Sequence, residues 1–177
     1  MRGTIPQAQR LVSWLLCMLL LIGLSGCMTI RLVGDYDEQI DKGTTALQKE
    51  FEVFLVKLEG TAAKPNDKVE AYENHKQFYA DSIVAISGLR LRADATERNS
   101  LTVRAFDRLA NNLKRFEAAH KEGIKKVEIT DSFRGGFTSQ FTAILTFELA
   151  KKRGEKPDEA KAAAAITPQQ PATGDKK

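Results

Sequence analysis

The chain has 177 residues, with 27 Lys and Arg against 23 Asp and Glu, and a formal net charge of +4. Hydrophobic residues make up 42% of it and charged residues 28%, which is typical of a globular protein and excludes a collagen-like or fully disordered chain. The length suits one domain, and 2 Cys are too few for a disulfide framework.

The first 26 residues have the organisation of a secretory signal peptide. Arg2 and Arg10 give the segment a basic start without any acidic residue. Residues 11–24 form an apolar run, which is shorter than the roughly 20 residues that a bilayer-spanning helix needs. Small residues follow this run, as they do before the cleavage site of a signal peptide. We therefore expect residues 1–26 to be removed from the mature protein.

A tetrad at the end of this segment resembles the lipobox of bacterial lipoproteins, which is a branched apolar residue, two small residues and a cysteine. All four positions match, as Leu24, Ser25, Gly26 and Cys27. The resemblance implies a diacylglycerol on the Cys27 thiol, cleavage before Cys27, and often acylation of the new amino group. Since each buried CH₂ contributes about 0.8 kcal/mol, two or three chains make a stable anchor. The alternative is an uncleaved signal anchor.

The same resemblance indicates where the lipoprotein resides. An Asp after the lipidated Cys retains enterobacterial lipoproteins in the inner membrane, whereas this chain has Met28. We therefore expect anchoring at the periplasmic face of the outer membrane, with the inner membrane as the alternative. Cys17 would leave with the signal peptide and Cys27 would carry lipid, so the mature chain would have no thiol for redox chemistry, a disulfide or a metal. Residues 27–34 then form the lipidated Cys and a short tether.

Apolar residues at intervals of three and four predict three helices in the next part of the chain. Residues suited to capping or to ending a helix bound them, such as Asp35 with Glu38, and Gly60. The predicted helices run over 35–59, from after Asn66 to about 94, and from Ser100 to just before Gly123.

The segment 131–153 fits two structures. Its Phe residues follow helical spacing, but residues 137–149 also alternate in polarity like a strand, for which residues 127–130 would supply a hairpin partner. We favour a helix, because an isolated hairpin is marginally stable and residues 148–152 are helix-forming with cations at the C-terminal end.

The predicted fold is thus an all-α, up-down-up-down four-helix bundle over residues 35–153. A C-terminal β-hairpin in place of the fourth helix is the alternative. Residues 154–177 are rich in Ala, Pro, Gln and Lys and contain no aromatic residue, which predicts a disordered tail.

Two surfaces are candidates for binding. Thr138, Thr142 and Thr146 recur every four residues in a stretch without charge, and a helix that is uncharged all round is either central or covered by a partner. The second surface is the bundle end that the tether, at most about 25 Å long, holds near the membrane. Its cations could contact anionic headgroups or simply complement helix dipoles. They are Arg31, Arg90, Arg92, Lys151, Lys152 and Arg153.

No residues indicate catalysis or a metal. Glu117 and His120 have the Glu-x-x-His spacing of di-iron bundles, but Tyr72 precedes His75 where the second unit needs Glu. We therefore expect a satisfied or solvent-facing histidine, and no cofactor besides the lipid on Cys27. The predicted role is binding or structural in the cell envelope, with an unidentified envelope protein as partner and no nucleic acid. The alternative is a carrier of a small ligand or cofactor in the bundle core, and an enzyme is least supported.

Overall fold

The computed structural model describes Trp14 and residues 34–154. Residues 34–154 contain four long helices: α1 (Glu38–Gly60), α2 (Lys76–Asp94), α3 (Ser100–Glu122) and α4 (Gly135–Lys152). The described residues form no strand, and the predicted all-α bundle is confirmed while the hairpin alternative for residues 127–149 is wrong. None of the described helices is both long and apolar enough to cross a bilayer.

Several predictions fall outside the described residues. They concern the signal peptide apart from Trp14, the lipidated Cys27, the tether before Gly34 and the tail after Gly154. Residues 34–154 nevertheless form a packed unit with a hydrophobic core of their own, to which all four helices contribute.

Neighbouring helices run antiparallel, and contacts at the two ends of the bundle establish this. At one end, Nε of Arg92 near the end of α2 donates to Oδ2 of Asp37, just before α1, at 2.6 Å. At the other end, Arg134 before α4 lies 3.0 Å from Oε2 of Glu59 near the end of α1. Helices α1 and α3 each pack against both α2 and α4. The four helices therefore close into a ring in up-down-up-down order.

Phenylalanine rings fill the centre of the bundle. The ring of Phe51 in α1 makes edge-to-face contacts with Phe78 of α2 and with Phe137 and Phe141 of α4, at centroid distances between 5.0 and 5.2 Å. Phe116 of α3 joins them through Phe137 at 5.7 Å. Each such aromatic pair contributes about 0.5–1.5 kcal/mol beyond the area it buries. The Phe residues of the ambiguous fourth segment therefore belong to the core.

The first helix begins later than predicted because Asp37, rather than Asp35, is its cap. Oδ1 of Asp37 accepts hydrogen bonds from the backbone N–H groups of Gln39 at 2.8 Å and Ile40 at 3.3 Å. Its other oxygen is held by Arg92, which fixes the carboxylate over the free amides of the first turn.

The second helix also begins later, at Lys76 instead of after Asn66. Residues 65–69 pair instead with residues 124–127, where the N–H of Val69 donates to the carbonyl of Ile124 at 3.1 Å. Backbone groups satisfied in this way cannot also form helical hydrogen bonds. A 3₁₀ turn at Tyr72–Asn74 then leads into α2.

A short helical turn, Lys126–Glu128, and a π-helical segment, Ile129–Arg134, lead directly into α4, so helical structure begins five residues before the predicted start at Asp131. The wide turn brings the guanidinium of Arg134 to 2.7 Å from Oε2 of Glu52 in α1, in addition to its contact with Glu59. At Gly136 a Cβ atom would lie only 3.3 Å from Nδ2 of Asn112, so the glycine permits a close approach of α3 and α4.

Candidate functional site

Gly34, the first residue of the packed unit that the structure describes, contacts the loop between α2 and α3. The N–H of Gly34 donates to the carbonyl of Arg98 at 3.0 Å. A Cβ atom at this position would lie 2.6 Å from the carbonyl oxygen of Glu97, so only glycine allows the chain to pass so close. The start of α1, the α2–α3 loop and the end of α4 meet here, and this is the end that we expected to face the membrane.

Two of the cations predicted to contact lipid are occupied by carboxylates. Nε of Arg90 donates to Oδ1 of Asp107 at 2.6 Å, which raises the pKa of Arg90. Arg92 is held by Asp37 in the contact that caps α1. Arg31 lies outside the described residues.

The last turn of α4 separates its three predicted cations. Lys152 is exposed, with Nζ 5.2 Å from the ring centroid of Tyr36, and Arg153 is exposed beside it. Lys151 is not at the surface, since its side chain is only 1% exposed. The predicted surface position of Lys151 is wrong, because its side chain turns inward to a buried carboxylate.

That carboxylate belongs to Glu148, and the two residues form a buried ion pair. Nζ of Lys151 lies 2.6 Å from Oε1 of Glu148, whose side chain is 0% exposed. The ammonium also donates to Oγ1 of Thr102 at 3.2 Å and to Oδ1 of Asn99. Thr102 donates in turn to Oε1 of Glu148 at 3.0 Å. These contacts fasten the last turn of α4 to the start of α3.

Burial is the largest influence on the charge of Lys151. It lowers the pKa of Lys151, although the neighbouring Glu148 acts in the opposite direction. Oε2 of Glu148 has no hydrogen-bond partner within the described part of the chain. The sequence did contain a signal for this site, because Glu148 continues the core spacing of Phe137, Phe141 and Ile144.

His120 occupies the opposite end of the bundle, where it is buried and both of its ring nitrogens are hydrogen-bonded; of the two alternatives expected from the sequence, a satisfied or a solvent-facing ring, it takes the first. Its Nε2 lies 2.7 Å from the carbonyl of Glu70, so Nε2 carries the proton and donates it there. Nδ1 is then free to accept from the hydroxyl of Tyr79 at 2.8 Å. This tautomer is assigned from its partners, and burial lowers the pKa of the ring.

The Glu-x-x-His unit that contains His120 has a structural arrangement. Oε1 of Glu117 accepts from the hydroxyl of Tyr72 at 2.8 Å and lies 2.7 Å from Nζ of Lys121. The contact with Lys121 is the larger cause of a lowered pKa at the Glu117 carboxyl, and the hydrogen bond from Tyr72 lowers it further. Within residues 34–154, no three His, Cys, Asp or Glu side chains are grouped so as to hold a metal ion.

The predicted interaction face of α4 is exposed. Thr138, Thr142 and Thr146 lie at the surface, while Phe137 and Phe141 turn to the core. Since Glu148 is buried, the exposed face carries no charge from Gly135 to Leu149. Such an uncharged strip leaves its threonine hydroxyls and methyl groups available to a partner.

No protein-family model, curated protein or solved structure matches the chain. These comparisons therefore supply no function. A function has to be inferred from the tetrad at residues 24–27 and from the exposed faces of the bundle.

Replacing Lys151 by Met should destabilise the bundle, because Glu148 would remain buried without its counter-charge. The expected loss in the free energy of unfolding is about 3–5 kcal/mol. The double variant Glu148→Leu with Lys151→Met removes both charges and should recover most of that loss. Lys152→Met, on the exposed neighbour, should change it by less than about 0.5 kcal/mol. Urea unfolding at neutral pH measures all three, and equal stability of the two single variants would contradict the buried pair.

Acidification should destabilise the protein through His120. Burial lowers its pKa below the ordinary 6.5, so the unfolded chain takes up the proton at a higher pH than the folded chain. Stability therefore falls as the pH drops through 6.5 toward the lower pKa of the folded state. His120→Gln keeps a donor and an acceptor but does not titrate in this range, so this component should vanish from unfolding curves taken between about pH 8 and about pH 5. Parallel losses in both proteins would refute the assignment.

Proposed function

We propose that the protein is a bacterial lipoprotein, anchored by lipid on Cys27 at the periplasmic face of the outer membrane, with a binding or structural role in the cell envelope. The observation that carries the anchor is the tetrad Leu24, Ser25, Gly26 and Cys27, placed directly after the apolar run of a signal peptide. Lipid on this cysteine would hold the protein at the membrane without a membrane-spanning helix.

The attachment of the first described residues supports a bundle held close to the lipid. Gly34 is the seventh residue after Cys27, and a chain of seven residues spans at most about 25 Å. That distance is about two helix diameters. Because Gly34 is bonded to Arg98, the tether cannot lengthen by detaching more of the chain without breaking that contact.

The uncharged exposed face of α4 supports a binding role. The core of a protein–protein interface is depleted of charged residues, because removing an uncharged surface from water costs less desolvation free energy than removing a charged one. The face presents Thr138, Thr142 and Thr146 on a helix whose other side is fixed by the Phe core. The partner that suits it is another envelope protein with an equally uncharged surface.

Cys27→Ser should abolish lipid attachment and cleavage by the lipoprotein peptidase. Mass spectrometry of the protein from cell membranes should find acyl mass on the wild-type mature chain and an uncleaved precursor in the variant. Cys17→Ser is the matched control, since it removes the chain's other cysteine and should leave both processing steps intact. Cleavage of the Cys27→Ser precursor at the same bond would disprove the lipoprotein assignment.

A photo-crosslinking residue at position 142 should capture an envelope partner in intact cells. The same residue at position 45 is the control, because Thr45 is an exposed threonine on the charged face of α1. We expect one discrete adduct from position 142 and none from position 45. Adding Thr138→Glu and Thr146→Glu should remove that adduct while the helical content stays unchanged. Identical adducts from both positions, or an adduct that survives the Glu substitutions, would show that the face is inert.

A further inference from the structure

Helix α2 has an exposed side without charge. Val84 is 70% and Leu91 is 68% exposed, and these are the most exposed large hydrophobic side chains of residues 34–154. At 100° per residue both lie on one side of α2, together with four other exposed residues that carry no charge. These are Gln77, Ala80, Gly88 and Ala95, which directly follows the helix. We call these six residues the outer face of α2.

The outer face of α2 points away from both neighbouring helices. Leu89 lies toward α1, since a Cβ atom at Gly43 would be 2.6 Å from its Cδ2 atom. Arg90 lies toward α3, since its Nε is 2.6 Å from Oδ1 of Asp107. Val84 lies about 140° around the helix from Leu89 and about 120° from Arg90. The outer face is therefore at a corner of the four-helix ring, where no described helix covers it.

A glycine at the middle of this face has no packing role inside the described chain. In α1 and α4, a Cβ atom at Gly43 or Gly136 would come within 3.3 Å of another side chain, so these glycines permit close packing. A Cβ atom at Gly88 would meet nothing within 4 Å. Glycine destabilises the interior of a helix relative to alanine. A second helix that approaches α2 closely from outside would require a glycine here.

Charged residues line the two edges of the outer face, and each edge carries both signs. Arg92 lies on the edge nearest α1, whose cap it binds, and Asp81 lies about 20° from it around the helix. Asp94 lies on the edge nearest α3, 3.7 Å from Nη1 of Arg90. Lys76 is about five turns before Asp94 and therefore on the same edge.

We propose that a second copy of this chain packs on the outer face of α2, with the two α2 helices parallel about a two-fold axis. Each residue of the face then meets its own copy, as the symmetry requires. Val84 and Leu91 are removed from water by this contact, and the two backbones approach each other at Gly88.

The edge charges suit this arrangement. A two-fold axis along the helices brings the α1 edge of one copy against the α3 edge of the other. Arg92 then lies about 3 Å along the axis from Asp94 of the second copy, and Lys76 about 8 Å from its Asp81, within reach of the long side chains. Symmetry repeats both pairs, so each acid of one edge meets a base. Such edge pairs set the partner and the orientation of paired helices.

The parallel orientation rests on the proposed anchor at Cys27. Gly34 contacts the α2–α3 loop at Arg98, so a parallel pair has both tethers at the same end, where one bilayer can hold them. A single pair of helices is smaller than the interfaces of about 1,200–2,000 Å² that hold stable complexes. Confinement in one membrane raises the effective concentration and offsets this. Since α1 and α3 separate α2 from α4, the dimer leaves the uncharged face of α4 open.

Disulfide formation by the full-length chain in cell membranes tests the contact. Val84→Cys and Leu91→Cys should each give a covalent dimer on mild oxidation, because each residue faces its own copy. Val56→Cys, at a position that is 58% exposed on α1, is the matched control and should stay monomeric. The wild-type chain, with only Cys17 and Cys27, gives the background.

Three results of this experiment would overturn the proposal. They are the absence of dimers from the variants at 84 and 91, equal dimers from the variant at 56, and an adduct at 84 with a different protein. Dimers that require both α2 variants in one cell would contradict the parallel orientation. Acyl mass on Cys27 without the cross-links leaves the anchor standing and removes this inference, and cross-links without acyl mass do the reverse.

Charge reversal in the Val84→Cys background tests the edge pairs. Lys76→Asp sets two acids against each other at both edges, and Asp81→Lys sets two bases, so each should lower cross-linking by about tenfold. Co-expression of these two variants should restore the dimer, because each acid meets a base again. Circular dichroism checks that the helices are kept. A mixture that cross-links no better than its components would refute the pairing.

Gly88→Gln separates the contact from the stability of the helix. Glutamine is the better helix former, so the melting temperature should not fall, while its side chain should hold the second helix away and abolish cross-linking at position 84. Gly60→Gln is the control, because Gly60 also has open space around it but lies at the end of α1. Cross-linking that persists in Gly88→Gln would contradict the close approach.

Discussion

The ring of Phe51 is the point on which the bundle depends. Its centroid lies within 5.2 Å of the ring centroids of Phe78 of α2 and of Phe137 and Phe141 of α4. Phe137 in turn contacts Phe116 of α3. Burying a phenylalanine side chain contributes about 1.5–3 kcal/mol. Because one ring is shared by three helices, their separations are set together. As a consequence, the hydrophilic faces of the helices lie on the outside of the four-helix bundle.

Short-range spacing was sufficient to predict four helices, but not where three of them begin. The first turn of α1 is decided by Arg92, which is far away in sequence and selects Asp37 as the cap. The start of α2 is decided by Ile124, whose carbonyl takes the N–H of Val69 out of helical pairing. The fourth segment fitted both helix and strand, and only its packing against Phe51 separates the two.

The functional features were unequally visible in the sequence. The tetrad that ends at Cys27 is contiguous, so no fold is needed to recognise it. Cations at the end of a helix usually stay in solvent, and this was expected of Lys151. That expectation was wrong, because the buried Glu148 draws the Lys151 side chain inward. For His120 the sequence left a satisfied and a solvent-facing ring open, and only the fold, which buries the ring beside Tyr79, separates the two.

The hydrogen bond between Gly34 and Arg98 has a mechanical consequence. In a lipid-anchored chain, drag from the bilayer would not peel α1 open from its first turn. The force would act first on this hydrogen bond and then on the contact between Arg92 and Asp37. These two contacts distribute the force over the α2–α3 loop, α1 and α2. A load divided in this way acts across the helix axes rather than along one of them. In such a chain, a pull on the anchor would therefore reach these surface contacts before it reached the Phe core.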